Sequence, residues 1–356
     1  MDFTPTAEQD AARELAARIF GDLSTPERLA GLGGGTDAEL WKALGDAGLA
    51  GAVEETGLLG LVLMLEEQGR TTAQVPFAAS CVFGLLAVAA HGTQEQRERL
   101  LPGFRDGSAV AAGAFPARTG IMVAAADTTG RARLSGAVPW VPWLRDATHV
   151  LVAVREHPGS GKVVHSLWMV KAADVRCEPV ELTAPWSAGR LVLDGAPAER
   201  IGGPGAYGDV LAAARTAFAG LQAGVCAGSL HRAVAYTNER EQFGRPLAAK
   251  QGVQLRAAEA HMDVEAIRVT AYEAAWRRDE GLAYDGHALT AAWWACEAGR
   301  RVVHTGQHLH GGMGADLEHP VHRHFLWGRQ LDGLFGAAPE ILAELGDVIA
   351  AGGEVA

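Results

Sequence analysis

"EREQFGRPLAAKQGVQ", Glu239 to Gln254, separates two long apolar runs of helical spacing. It sets two arginines (Arg240, Arg245), Phe243, a Gly244-Arg245-Pro246 turn and, at its end, Gln251 and Gln254 between them. Upstream lies "DVLAAARTAFAGLQAGVCAGSLHRAVAYTN" (Asp209 to Asn238). Downstream lies "LAAKQGVQLRAAEAHMDVEAIRVTAYEAAWRRDEG", from Leu247. Two further runs follow, "DGHALTAAWWACEAGRRVVHTGQHLHGG" from Asp285 and the shorter "APEILAELGDVIAAG" from Ala338. Long helices joined by short connections pack as an antiparallel bundle. So specific a polar turn is either a surface connection or a grip on an anionic ligand or a neighbouring subunit.

Outward from the bundle the texture changes twice. Between Ser108 and Ile201 the chain is rich in strand formers and turns. "RARLSGAVPWV" (Arg131 to Val141) is expected as strand, turn, strand; "ATHVLVAVRE", "VVHSLWMVKAADV" and "GRLVLDGAP" are further strands of a small antiparallel β domain. Before Arg105 helical spacing returns. "TAEQDAARELAARIF" follows a Thr-Pro-Thr start. "TDAELWKALGDAGL" offers Thr36 as N-cap with Glu39 as its capping-box partner. "LLGLVLMLEEQGR" and "FAASCVFGLLAVAAHG" are expected as buried helices, and "TQEQRERLLPGFRDG" as a short one ended by Pro102 and Gly103. The expected fold is mainly α: a helical domain (1–106), a middle β domain (107–202) and a four-helix bundle (203–356).

The composition narrows the function classes. The 356 residues suffice for two or three domains, and 48% hydrophobic with 21% charged residues is ordinary for a soluble chain. A net charge of −11 argues against a nucleic-acid partner. No basic amphipathic segment suggests membrane binding, and no uninterrupted apolar run reaches the roughly 20 residues of a span; Gly57 to Leu65 stops at Glu66-Glu67. The first residues carry acids and no apolar signal core, so the expected location is cytoplasmic. Cys81, Cys177, Cys226 and Cys296 are scattered singly, as buried free thiols.

With its α, β, α-bundle order, the chain resembles the acyl-CoA dehydrogenase family over almost its whole length. "YTNEREQFGRPLAAKQGVQ" (from Tyr236) is similar to that family's Y…ER..FG…Q motif. "QHLHGGMGADLEHPVHRHF" (from Gln307) is similar to its glycine pair before E.P…R. The wording HGGMG and "LDGLFG" is most like subunits of the actinobacterial heteromeric, sterol side-chain type. The resemblance implies FAD as cofactor, an acyl-CoA substrate, a homologous dehydrogenase subunit as partner and an electron-transfer partner. It implies that Arg240, Gln242 and Phe243 reach onto the FAD of a neighbouring subunit, with Gln251 serving the same ligand. Arg suits the pyrophosphate because its donors are planar and permanently charged. The family's glycine pair becomes Gly311 and Gly312, followed by Gly314, where backbone would approach the adenine-side phosphates. A helix C-cap is the plainer reading of those glycines, and both can hold. His308 stands where the family has a Gln that bonds the cofactor. His304 and His308 share a helical face, but no carboxylate or cysteine completes a metal set.

The resemblance also exposes departures. Trp140 falls where the family sets a Trp against the flavin ring. Pro142 replaces the following Thr, and proline has neither hydroxyl nor N–H to give. The family's "TEPGAGSD" loop corresponds to "AFPARTGIM", with Ala114 at the Thr position and only Pro116 retained. The chain's own FAD pocket therefore lacks donors that its cross-subunit motif keeps. The family removes an α-proton with a Glu from one of two positions, which here are Ala214, before the family's common Arg (Arg215, on the substrate side), and Phe335, before Gly336. Neither is a carboxylate. Asp209 and Asp332 are the nearest acids. Both have plainer roles, as a helix cap and a solvated loop acid. The expectation is a subunit without a catalytic residue in a heteromeric α,β-dehydrogenase. A homo-oligomer with a relocated base, a flavin monooxygenase of the same superfamily and a non-enzymatic scaffold stay open.

Overall fold

The computed structural model describes residues 3–118, 120–124, 126–127, 130–156 and 163–352; Thr119 of the AFPARTGIM stretch lies outside them. The N-terminal region is helical: α1 (Ala7–Leu23), α2 (Pro26–Leu32), α3 (Ala38–Asp46) and α4 (Leu49–Thr71). A run made of α5 (Phe77–Ala79), a π-helical stretch (Ser80–Leu86) and α6 (Ala87–His91) follows, then α7 (Gln94–Asp106). The middle region holds β1 (Ala111–Arg118), β2 (Met122–Val123), β3 (Arg131–Val141), β4 (His149–Glu156), β5 (Val164–Lys171), β6 (Arg176–Val180) and β7 (Ala188–Arg200). The C-terminal bundle contains α8 (Ala206–Glu239), the two-strand hairpin β8 (Glu241–Gln242) and β9 (Arg245–Pro246), α9 (Gln251–Asp279), α10 (Asp285–Leu309), α11 (Val321–Leu331) and α12 (Ala338–Ala350). The expected order of helices, sheet and bundle is the observed one.

Four local expectations are corrected. Asp37, not Thr36, caps α3 by accepting the Leu40 N–H; Thr36 instead donates to the Asp146 carboxylate, so no capping box forms with Glu39. Pro102 lies inside α7, which runs on to Asp106 and ends at Gly107 in the left-handed region. The Arg131–Val141 segment is one strand with two register breaks against β7: the first places an extra residue in β7 at Asp194-Gly195, the second an extra residue in β3 at Pro139-Trp140, and neither turns the chain back. The sheet is antiparallel except at one edge, where β1 runs parallel to β4.

The contacts divide the chain into two compact units. One contains the described residues of Met1–Gly33, Gly57–Ala73 and Arg215–Ala356; the other contains Gly34–Thr56 and Gln74–Ala214. In the second unit the sheet order is β1-β4-β5-β7-β3-β2, with β6 on β7. Its core collects alternate residues of the strands, among them Leu134, Val138, Val152, Trp168 and Leu191.

In the first unit α8 is the central rod. From Arg215, where α8 enters this unit, to Cys226 every residue is buried, which is why no polar face marks it in the sequence. By length and composition it could cross a membrane, yet 94% of its apolar window is buried inside the protein. Gly220, Gly224 and Gly228 form a ridge at four-residue spacing against Val62, Glu66 and Arg70 of α4, and Gly69 returns the contact toward the Leu221 carbonyl. A methyl at Gly224 would run into the Glu66 carbonyl, and one at Gly228 into that of Arg70. The backbones approach as closely as bare glycine allows. α4 is broken at Gly57 (φ 72°). Asp279 repairs the break by accepting the N–H groups of Leu58 and Leu59 at 2.8 and 2.9 Å, as an N-cap borrowed from α9.

Candidate functional site

The stretch between α8 and α9 is a tight hairpin. Arg240 leaves the last turn of α8 with its N–H on the Tyr236 carbonyl, and its own carbonyl accepts from Leu247. Gln242 pairs with Arg245 across the turn. Phe243 and Gly244 make that turn with φ of 60° and 78°, the two positive values that a type I′ connection requires. Asn-Gly fills such a turn without strain; a bulky aromatic at positive φ costs stability. The ring gains no core in return: Phe243 is 92% exposed, with only the Lys250 ammonium 4.9 Å from its centroid. Among the described residues the Arg240 side chain has no hydrogen bond or ion pair, and it is exposed, as are Gln242 and Gln251. Gln251 is the first residue of α9. The hairpin thus sets a strained, exposed aromatic beside an exposed guanidinium that has no partner among the described residues.

The α10 end is less open. Gly311 adopts φ 62°, and a short 3-10 turn, Gly311–Ala315, folds back so that Gln307 Nε2 donates to the Gly314 carbonyl at 3.0 Å. Gly311 and Gly312 are exposed, with nothing near the place a Cβ would take. His308 is exposed and lines a groove of about 610 Å³ with Arg256, Asp263, Arg301 and His304. His310 is buried, stacks on Tyr236 at 4.8 Å and binds the Gly306 carbonyl. Burial pushes its pKa down, as it does for His319. His324 is pushed to about 4 by burial, although it hydrogen-bonds the Arg70 carbonyl.

The two positions expected for a base, Ala214 and Phe335, are treated differently. Ala214 is fully buried, and the next residue, Arg215, turns a 6%-exposed side chain toward the loop before α12. Its Nη2 donates to the Phe335 carbonyl at 3.2 Å and to Glu344 at 3.0 Å, and its Nη1 lies 2.7 Å from the same carboxylate. The Phe335 ring meets Phe218 edge-to-face at 4.9 Å. Arg215 and Phe335 are thus brought together, as a closed and internally neutralised corner. Glu344 was missed in the sequence because it sits in α12, 129 residues from its partner.

The two acids nearest in sequence are occupied elsewhere. Asp209 lies in the first turn of α8 but is not its cap; it pairs with His91 Nε2 at 2.8 Å. Asp332 pairs with Arg329 and faces Arg300 and His304 of α10. It is not the solvated loop acid expected: burial raises its pKa. In the second unit, Ala114 is buried in β1, and Trp140 is half-buried near the end of β3. Trp143, which sequence reasoning passed over, holds φ 63° and stacks on Trp186 at 5.6 Å. Phe115 lies between Phe83 and Tyr207, and Tyr207 stacks on His165 at 4.4 Å.

Comparison with known proteins adds to this geometry. Residues 6–108 match "Acyl-CoA dehydrogenase, N-terminal domain", and residues 203–341 match "Acyl-CoA dehydrogenase, C-terminal domain". The acyl-CoA dehydrogenase FadE27 of Mycobacterium tuberculosis is 34% identical over 98% of this chain and 99% of its own. A solved structure of the steroid ACAD Tcur3481-Tcur3483 superposes with a TM-score of 0.90 at 40% identity, covering 97% of this chain and 98% of that one. The ChsE4-ChsE5 complex of Mycobacterium tuberculosis gives a TM-score of 0.90 at 32% identity, covering 98% and 99%.

Proposed function

The chain belongs to the acyl-CoA dehydrogenase family, and we propose that within it the chain is the baseless subunit of a heteromer that dehydrogenates a bulky acyl-CoA thioester. One observation carries this reading. The hairpin offers Arg240 and Phe243 to the outside, while the corner at Arg215 and Phe335 has no carboxylate free to take a proton.

The residues present suit FAD bound by a neighbouring subunit. The unpaired Arg240 guanidinium matches a pyrophosphate, and Phe243 offers a flat apolar wall. Gln242, Gln251 and His308 are exposed hydrogen-bonding groups, and Gly311-Gly312 leaves backbone open to phosphate. They suit FAD of the chain's own pocket less well. Ala114 and Pro142 have no side-chain donor, which leaves Trp140 as an aromatic wall there. When bound, FAD supplies the acceptor for the electrons taken from the acyl chain. The proton lost from the α-carbon goes to a carboxylate of the partner subunit. This chain's share is to bind and orient: Arg240 neutralises phosphate charge, and the Phe335-Phe218 pair keeps an apolar wall where the family otherwise has its acid. Arg215, tied to the Phe335 carbonyl, sets the position of that wall. Similarity to the steroid ACAD and to the ChsE4-ChsE5 complex supports a steroid-type acyl group, a homologous partner and, as for the family, a separate electron acceptor.

The test is co-expression with a homologous chain that carries Glu at either family position, followed by an absorbance spectrum and anaerobic titration with acyl-CoA. The complex is expected to be yellow and bleached by substrate, and the chain alone to retain little flavin. A chain that alone keeps stoichiometric FAD and is bleached by acyl-CoA would overturn the reading.

A further inference from the structure

Beneath the Arg215 corner lies a cavity of about 20 Å³, lined by Arg215, Phe218, Gln222, Cys296, Leu331 and Phe335 among others. Its wall is apolar apart from two side chains of α8, one on each side of Phe218 and Ala219. Both are deeply buried, Arg215 at 6% and Gln222 at 1% exposure. Each has one polar atom without a protein partner: Arg215 Nε, which can only donate, and Gln222 Oε1, which can only accept. The other ends are committed. The Arg215 terminal nitrogens bind Glu344 and the Phe335 carbonyl, and Gln222 Nε2 donates to the Gly328 carbonyl at 3.2 Å.

Both residues line this one small cavity, and a buried donor and a buried acceptor each cost stability unless a third group joins them. That space of about 20 Å³ exceeds the roughly 10–15 Å³ that one water needs. We infer that the cavity is a binding site for a single water molecule, which accepts the Arg215 Nε–H and donates to Gln222 Oε1. The water completes a chain of hydrogen bonds from the Phe335 carbonyl through Arg215 and Gln222 to the Gly328 carbonyl. It thereby ties the loop before α12 to α11 across the middle of α8. The inference holds whatever reaction the protein performs.

The experiment is a crystal structure of the full chain, alone or in its complex, at a resolution that shows ordered water, with a second crystal pressurised with xenon. The expected result is one well-ordered peak within hydrogen-bond distance of Arg215 Nε and Gln222 Oε1, and no xenon there. In Gln222→Met the water peak is expected to vanish. Backbone amide exchange in residues 333–337 is then expected to quicken by about tenfold, because Arg215 has lost its link to α11. An empty or xenon-filled cavity in the parent chain, or a direct Arg215–Gln222 bond closing it, would overturn the inference. If Gln222→Met does not fold, the two parent crystals decide alone.

Discussion

The two ends of α8 spend their arginines in opposite ways. Arg215 is buried, with its terminal nitrogens on Glu344 and the Phe335 carbonyl. Arg240, seven turns later by helix geometry, is exposed and unpaired among the described residues, beside a phenylalanine in a backbone conformation that resists it. Charge satisfied inside the chain stabilises the chain; charge and strain left at the surface do not. The difference is between a charge closed inside the chain and one left open to solvent at the hairpin.

The strongest way to separate the two ends is acid. His324 lies near the Gly228 turn of α8, below the hairpin, and its folded pKa is near 4 against 6.5 for the free side chain. The unfolded chain therefore binds a proton that the folded chain refuses, and stability falls as pH drops from about 6.5 to about 4, by up to about 3 kcal/mol. The Arg215 cavity has no histidine in its lining. Hydrogen exchange at pH 5 is expected to quicken around Arg232, His310 and His324 well before residues 333–337; uniform quickening would erase the distinction.

Next in size is Arg240→Ala. Losing a charge-assisted contact to phosphate is worth roughly 1.5–3 kcal/mol, so FAD affinity of the assembled complex is expected to drop about ten- to a hundredfold. Arg240→Lys should recover part of this, and neither change should move the unfolding midpoint. Arg215→Met should do the reverse. It is expected to destabilise by about 2 kcal/mol in a denaturant titration, since it frees the Phe335 carbonyl and removes a buried cation. Glu344 is half exposed, so much of that pair is screened.

Phe243→Asn sharpens the comparison on one residue. Asn suits the first position of a type I′ turn, so the variant is expected to be up to about 1 kcal/mol more stable while its complex holds FAD less well. A gain in stability with unchanged flavin content would assign the strain at Phe243 to something other than the cofactor. The smallest effect is expected from Glu344→Gln, about 0.5 kcal/mol.

The fold was legible wherever a pattern was local and long. The Thr6 start of α1, the four bundle runs and the sheet between two helical regions all follow from spacing and caps read over a dozen residues. Legibility failed where a distant residue decided. Thr36 looks the better cap until Asp146, 110 residues on, takes its hydroxyl. Pro102 looks like a stop, yet the helix continues to Gly107. The parallel β1–β4 edge depends on a pairing that no single segment encodes. For the site, the motif around Arg240 was visible because its residues are contiguous. Glu344, Gln222 and the engagement of Asp209 by His91 were not, because each needs two or three helices assembled before the neighbours exist.

The glycine ridge of α8 has a consequence for anyone who maps this chain by saturation mutagenesis. At Gly224 and Gly228 even alanine would strike a carbonyl of α4, and at Gly69 one of α8. At the hairpin, by contrast, the side chains of Arg240 and Phe243 are exposed. A survival screen would therefore show its deepest depletion along a bare seam with no chemistry at all. It would pass lightly over the exposed side chains of Arg240 and Phe243, so that a map of tolerance would record packing and say little about surface offered to a ligand.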